Sequence, residues 1–414
     1  MELLSAPARM PVNPEWPLNI PSHRSLGSLW RPVPLQHFVV KVHSRCNLAC
    51  DYCYLYEMGD QSWRAASKAM SPEVADRTAL RIGEHARARH LEKVTVIVHG
   101  GEPMLAGVQL IRRLAEGVRR AVPSYTAVSL AIQTNGLLLD DATLDALHAL
   151  GISVGVSLDG DETANDRHRR RADGRGSHAD VTAAIARLRD PSRPGLYGGL
   201  LCTIDLANDP VEVYEALLAH APPTMDFLLP HGSWDEPPPS RGTDATMTPY
   251  GDWLAAAFDR WYDVEETETS VRLFRDTVAL VLGGSGTSEQ LGPEPATVVV
   301  VDTDGMIEQV DTLKSVYDGA AATGMSITSH SFDDALRHPS LAVRQLGVAG
   351  LGVTCRSCRV REVCGGGYFA HRYRSGVGFG EPSVYCPDLI RFIEHVTGRV
   401  AASVAAAKSL GNHA

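Results

Sequence analysis

From Gln36 onward the chain alternates between two kinds of hydrophobic pattern. Short apolar runs at 37–42, 94–98, 128–132, 153–158, 198–204 and 225–229 read as strands. Between them, 72–89, 108–122, 141–150, 178–189 and 211–220 place apolar residues at the helical period. Ser71 followed by Pro72 is a helix start, with a capping hydroxyl and then a proline at the first helical position. Six strand-then-helix units predict an α/β fold: a parallel sheet covered by helices, with chemistry at the C-terminal ends of the strands.

The pattern changes on either side of this region. Residues 1–35 carry Pro7, Pro11, Pro14, Pro17, Pro21, Pro32 and Pro34, so no helix runs through them and an extended arm is expected. Residues 247–262 form one more amphipathic helix, with Trp253, Phe258 and Trp261 on its apolar face. Gly283-Gly284-Ser285-Gly286 is a break, and a domain boundary is placed beside it. A hairpin follows, 297–302 against 306–310, turned at Thr303-Asp304-Gly305. A last helix spans 389–410. The expected organisation is an arm over 1–35, a main domain over 36–282, a smaller domain over 283–396, and a helix and tail over 397–414.

Charge and composition narrow the classes of partner. A net charge of -10 disfavours a nucleic-acid backbone or an anionic membrane across the surface, the run Arg167-His168-Arg169-Arg170-Arg171 being a local exception. No stretch reaches the ~18 unbroken apolar residues of a membrane span. The start, Met1-Glu2-Leu3-Leu4, has neither the basic stretch nor the apolar run of a secretory signal. Seven of the eight cysteines fall into two groups with metal-like spacing, which without a signal peptide points to metal clusters in a reducing cytoplasm, not disulfides.

The first group, Cys46, Cys50 and Cys53, sits in a loop directly after the first strand. Three thiolates at x3 and x2 spacing can hold three irons of a [4Fe-4S] cluster and leave the fourth open to a ligand. A structural zinc site, the alternative, uses four closed ligands. The next strand ends carry His99-Gly100-Gly101-Glu102-Pro103, Gln133-Thr134-Asn135-Gly136 and Ser157-Leu158-Asp159-Gly160. Each read alone is a strand-to-helix turn, but their repetition at successive strand ends favours a binding site, in which Gly100 and Gly101 allow close backbone approach and Glu102 can accept from an ammonium. The sixth strand runs into Pro230-His231-Gly232-Ser233-Trp234-Asp235-Glu236, a proline-rich loop whose His231, Asp235 and Glu236 are candidate proton acceptors or simply solvated. The second group, Cys355, Cys358, Cys364 and Cys386, can close a complete [4Fe-4S] cluster or a zinc site. Cys202, inside an apolar strand, reads as a buried small hydrophobe.

C-x3-C-x2-C with the aromatic Tyr52 before the last cysteine resembles the signature of the radical S-adenosylmethionine (SAM) superfamily. The resemblance implies a partial (β/α)6 TIM-like barrel, and SAM chelated at the open iron and cleaved reductively to methionine and a deoxyadenosyl radical. It assigns Gly100, Gly101 and Glu102 to the SAM amino group, and Asn135 and Ser157 to its ribose or carboxylate. Arg169 becomes the bidentate carboxylate clamp, on the pattern Ser-x-Asp-Gly then Asp166-x-x-Arg169. The second cysteine group resembles the cysteine-rich SPASM extension of peptide-modifying members, which carries two auxiliary clusters. Here Tyr368 and Val310 stand where that pattern has cysteines, so only one auxiliary [4Fe-4S] cluster is implied.

The phrases 38–46, Asp60-Gln61-Ser62-Trp63-Arg64, Cys364-Gly365-Gly366-Gly367 and Ala370-His371-Arg372-Tyr373-Arg374 resemble the FxsB-type subfamily over roughly 35–396. What this implies is a cytoplasmic maturase that acts on a ribosomal precursor peptide, leader and core. It joins an aromatic ring to an aliphatic Cβ in a three-residue cyclophane and is served by an electron donor such as flavodoxin or ferredoxin. Other SPASM-type modifications (thioether formation, epimerisation, sulfatase-type oxidation), a non-catalytic peptide scaffold and a zinc module are the alternatives.

Overall fold

The computed structural model describes residues 31–411, apart from 242, 243, 245 and 265. The proline-rich arm therefore lies outside the described residues except for its end. That end is pinned: Leu35 is fully buried, its amide donates to Nε2 of His85 at 3.1 Å, and the amide of Val33 donates to the side chain of Gln345.

Seven strands run parallel in chain order: β1 (His37–His43), β2 (Lys93–Gly100), β3 (Ala127–Thr134), β4 (Ile152–Ser157), β5 (Tyr197–Thr203), β6 (Thr224–Leu228) and the short β7 (Ser270–Val271). The connecting helices are α1 (Pro72–Ala88), α2 (Val108–Ala121), α3 (Asp141–Ala149), α4 (Glu162–His168), α5 (His178–Leu188), α6 (Pro210–Leu218) and α7 (Pro249–Tyr262), with α8 (Arg272–Val281) after β7. The six expected strand–helix units are all present, and α4, β7 and α8 are additions that the apolar periodicity did not mark. The cap expected at Ser71 forms, and two others accompany it. Ser71 Oγ accepts from the amide of Val74 at the start of α1, and Asp140 and Asp209 cap α3 and α6 in the same way.

The hairpin forms as β8 (Val298–Val301) and β9 (Met306–Glu308), and β10 (Ala322–Ser326) extends it. It is not a detached unit. β8 pairs parallel with the outer edge of β1, Val40 facing Val98 of β2 on one side and Val301 on the other. One ten-stranded sheet therefore runs β10-β9-β8-β1-β2-β3-β4-β5-β6-β7, with β10 and β7 as its edges. The glycine-rich break at 283–286 separates α8 from the hairpin without interrupting the sheet.

Alternation in the strands sorts two environments. Phe38, Val40 and Val42, with Val94, Val96 and Val98, are buried against the helices. The Phe38 ring lies 4.9 Å from Phe332 in α9 (Phe332–Ala335). Each such side chain contributes roughly 1.5–3 kcal/mol when fully buried, which makes this the dominant stabilising layer. The intervening residues, including Lys41, His99, Gln133 and Ser157, face the concave side of the sheet. Three further short helices, α10 (Pro339–Val343), α11 (Val353–Arg356) and α12 (Arg361–Cys364), lead to the long α13 (Cys386–Gly411). Cys386 is the first residue of that helix, which packs on α7 and α8 through Phe392, in ring contact with Phe258 and Phe274. Among the described residues no helix is long and apolar enough to cross a membrane.

Candidate functional site

The loop after β1 carries the three thiols and is held from below by the glycines of the next strand. The amide of Gly101 donates to the carbonyl of His43 at 2.9 Å, and the amide of Glu102 to that of Arg45 at 2.9 Å. A Cβ on Gly100, whose φ is +143°, would lie 2.2 Å from the His43 oxygen. One on Gly101 would meet the Tyr56 hydroxyl at 1.8 Å and the Arg45 carbonyl at 2.6 Å. Both glycines are thus required by the close seating of the cysteine loop.

Glu102 is fully buried, and its carboxylate has three protein donors: the amides of Met104 (2.9 Å) and Asn135 (2.8 Å) and the hydroxyl of Thr134 (2.7 Å). Burial raises its proton affinity and those donors oppose the rise. The side chain ties β2 to the end of β3. Asn135 in turn donates from Nδ2 to Asn47 Oδ1 at 2.7 Å and lies 3.6 Å from Cys46 Sγ, so the third strand end reaches the thiol loop. Ser157 Oγ accepts from Gln133 Nε2 at 3.0 Å on the concave face.

Arg169 is buried beside the same loop. Its Nη1 donates to the Tyr52 hydroxyl at 3.0 Å, and that hydroxyl donates to Asp159 at the end of β4. Its Nε is buried with no partner. The amide of Ala49, between Cys46 and Cys50, donates to the carbonyl of Arg170 at 2.7 Å, fixing the arginine segment over the thiols. The other basic residues differ in use. Arg167 pairs with Asp205, and His168 sits between Asp51 (2.9 Å) and Asp205 (3.2 Å).

The thiols show what they can hold. Burial pushes Cys50 up to about 11 and Cys53 up to about 12, so neither ionises unaided, and a positive centre is needed to hold them as thiolates. Each also feels its neighbours: Cys46 raises Cys50, and both raise Cys53. The second group behaves likewise. Cys364, pushed up to about 12 by burial, feels Cys386 and Cys355, and Cys386, at about 11, feels Cys355 and Cys358. Yet among the described residues no three His, Cys, Asp or Glu side chains close round a single point as one bound ion requires. The donor sets, three thiols with no fourth protein ligand in the first group and four in the second, are those an iron–sulfur cluster takes, the first leaving one iron open. An unpartnered guanidinium nitrogen at the three-thiol loop suits a carboxylate ligand.

Of the three candidate proton acceptors, the fold separates one from the others. His231 turns inward, its ring 4.8 Å from Tyr54 and 5.7 Å from Tyr368, and burial pushes it down to about 4. Asp235 is exposed and accepts from the amide (2.9 Å) and hydroxyl of Ser375, and Glu236 is exposed. Tyr54 follows Cys53, and Tyr368 lies four residues after Cys364, so the two rings beside His231 come from segments that carry thiols of the two groups. Val310 is buried in a small apolar core with Leu313 and Phe379, and Cys202 is buried in β5.

A second polar cluster escaped the sequence reading. Lys41 Nζ on β1 pairs with Asp302 (2.8 Å) and Asp311 (3.4 Å), and Lys314 pairs with Glu308 (3.0 Å) and Asp302 (3.5 Å), all buried. Burial alone would lower Lys41, but the three carboxylates hold it protonated well above its ordinary range. Burial raises Glu308 to about 7. The one signal available beforehand was a lysine inside the apolar run 38–42. Its partners are about 260 residues away in sequence.

Comparison with known proteins points to one superfamily. Residues 40–205 match the model of the Radical SAM superfamily. The chain is 23% identical over 389 residues to the serine-type anaerobic sulfatase-maturating enzyme of Bacteroides thetaiotaomicron, covering 88% of this chain and 89% of that protein. It is 24% identical over 283 residues to the cysteine-type enzyme of Clostridium perfringens, covering 67% and 74%. Among solved structures, native anSMEcpe with bound AdoMet and Cp18Cys peptide superposes with a TM-score of 0.75 at 20% identity, over 90% of this chain and all of that one. SuiB of Streptococcus suis bound to precursor peptide SuiA gives 0.56 at 14% identity, over 86% of this chain and 76% of that one.

Proposed function

We propose, from the premise that this chain is a radical SAM enzyme with the α/β fold of that superfamily, that it matures a ribosomally made precursor peptide by a carbon–carbon crosslink. Cys46, Cys50 and Cys53 would hold a [4Fe-4S] cluster, and Cys355, Cys358, Cys364 and Cys386 one auxiliary [4Fe-4S] cluster. Bound at the first site, cluster and SAM together supply a hydrogen-abstracting carbon radical. Arg169 would grip the SAM carboxylate through its free Nε, with Gly100, Gly101 and Asn135 around the methionine end. Ser157, on the concave face, would lie towards the ribose.

The observation that carries the SAM site is the unpartnered, buried Nε of Arg169, whose segment is fixed to the three-thiol loop by the bond from Ala49 to Arg170. Support for a peptide substrate comes from the neighbouring structures, which hold peptides. In the crosslink, the peptide loses a hydrogen atom from an aliphatic Cβ. The resulting carbon radical joins an aromatic ring nearby, and the ring then gives up one electron and one proton. The product is lighter by two hydrogens. The auxiliary cluster held by Cys355, Cys358, Cys364 and Cys386 would be the acceptor for that electron, and an external donor such as flavodoxin or ferredoxin would supply the electron that starts the cycle.

A second reading is oxidation of a single serine or cysteine in a protein substrate, favoured by the near-full-length similarity to sulfatase-maturating enzymes. Anaerobically reconstituted protein, SAM, a strong reductant and a candidate precursor separate the two. Deoxyadenosine with a peptide two hydrogens lighter, and fragmentation that skips a three-residue segment, supports the crosslink. Oxidation confined to one serine or cysteine overturns it in favour of the second reading.

A further inference from the structure

Three segments far apart in sequence meet beside the thiol loop. His231, just beyond β6, has Nδ1 3.1 Å from Nε2 of His371 in the C-terminal region. Tyr54 lies edge-on to His231 at 4.8 Å, and Tyr368 lies 5.7 Å from His231 and 5.3 Å from His371. Tyr385 packs on His371 at 5.1 Å, and its hydroxyl is committed to the carbonyl of Pro230 at 2.7 Å. His371 is buried, whereas His231, Tyr54 and Tyr368 each keep part of their surface uncovered.

Neither imidazole is held as a cation. Burial lowers His231, and burial, then His231 and the Arg372 guanidinium, lower His371. Two neutral imidazoles in nitrogen-to-nitrogen contact share one proton along that axis, so one ring donates and the other accepts. If His231 donates from Nδ1, its Nε2 is left with a lone pair. Asp311, another inward acceptor, is paired through Oδ1 with Lys41 at 3.4 Å and lies 4.0 Å through Oδ2 from His99 Nδ1.

We propose that His231 is the proton acceptor of the crosslinking reaction and that His371 is its positioning residue, holding the Nδ1 proton of His231 so that Nε2 is bare. This rests on the function proposed above. As the joined ring regains aromaticity, its proton passes to His231 Nε2 and its electron to the auxiliary iron–sulfur cluster. The imidazolium so formed keeps its Nδ1–H bond to His371, which spreads the charge where, among the described residues, no carboxylate pairs with either ring. Asp235 and Glu236, both turned to solvent, take no part.

Two measurements test this. In holoenzyme labelled with [15N]histidine, the His231 resonances at neutral pH should show the neutral tautomer with hydrogen on Nδ1. That signature should persist in His371→Gln, whose amide oxygen can accept from Nδ1, and be lost in His371→Leu. In turnover, His231→Gln and His371→Leu should still form deoxyadenosine but yield at least about tenfold less crosslinked peptide per deoxyadenosine, the low end of what a general base contributes. His371→Gln should stay near the unsubstituted ratio. Hydrogen on Nε2 in the unsubstituted protein overturns the proposal. So does a His371→Gln variant as uncoupled as His371→Leu, or a loss of coupling in Asp311→Asn with His231→Gln unaffected. If the unsubstituted enzyme makes deoxyadenosine but no crosslink with any precursor, the function proposed above fails, while the tautomer measurement still decides the histidine pair.

Discussion

Arg169 donates to the Tyr52 hydroxyl at 3.0 Å through Nη1 and leaves Nε buried without a partner. Half of a planar, two-pronged donor is thus fixed to the thiol loop, and the other half is free for an acidic ligand. A lysine would supply the charge without the geometry. Arg169→Lys should weaken SAM binding about 10- to 100-fold, the equivalent of a lost hydrogen bond to a charged group. Equilibrium dialysis of reconstituted protein measures this, and an unchanged affinity would place the carboxylate elsewhere.

The glycines under the loop predict a loss of assembly in addition to any loss of ligand contact. Gly101→Ala puts a methyl group 1.8 Å from the Tyr56 hydroxyl, and Gly100→Ala sets a left-handed φ against the His43 carbonyl. Each should cost about 2 kcal/mol or more in unfolding free energy. Iron uptake at the first site should fall in parallel, by iron and sulfide analysis. Normal stability with weakened SAM binding would leave them the SAM contact proposed above and remove their role as supports of the loop.

The four-thiol site should be separable from the three-thiol site. Cys355→Ala with Cys358→Ala should lower iron from roughly eight to roughly four atoms per chain and leave SAM binding in place. Zinc in place of iron, at one atom per chain, would refute the auxiliary cluster.

Lys41 predicts a large stability effect. Lys41→Met strands Asp302 and Asp311 with a single remaining buried lysine nearby, and breaking such a network by removing one partner costs roughly 3–5 kcal/mol. Denaturant unfolding should show this, and a change under 1 kcal/mol would mean that water enters the cluster.

His231 gives a pH dependence of defined sign. Its folded value of about 4 lies below its ordinary 6.5, so the folded protein binds fewer protons between those values. Stability is therefore full above about pH 6.5 and falls as the pH drops toward 4, by up to about 3 kcal/mol for this group. His371, also lowered by burial, adds in the same direction. His231→Gln should flatten the fall in unfolding free energy between pH 6.5 and 5. An unchanged slope would show that the imidazole is solvated.

Much of the fold was legible because strands and helices announce themselves locally. A buried parallel strand such as 94–98 is a continuous apolar run, and a capped helix such as α1 carries its own start signal in Ser71 and Pro72. Most of the thiols were legible for a similar reason, since Cys46, Cys50 and Cys53, like Cys355, Cys358 and Cys364, need only a loop to come together, whereas Cys386 stands farther on, at the start of α13. The pairing of β8 with β1 was not, since it joins residues about 260 positions apart, with no periodicity that points from one to the other.

The sequence by itself therefore determined the strand–helix order and the two cysteine groups, which depend largely on near neighbours, whereas Arg169, 117 residues from the Tyr52 it touches, was singled out only by resemblance to a family. Tertiary structure alone decided what faces what. It gave His231 a partner 140 residues away and turned Asp235 and Glu236 to solvent. It also set Glu102 as a brace between strands and gathered Lys41 with carboxylates from the hairpin. These contacts form only when distant segments are packed together, and their energies depend on burial, which no local pattern records.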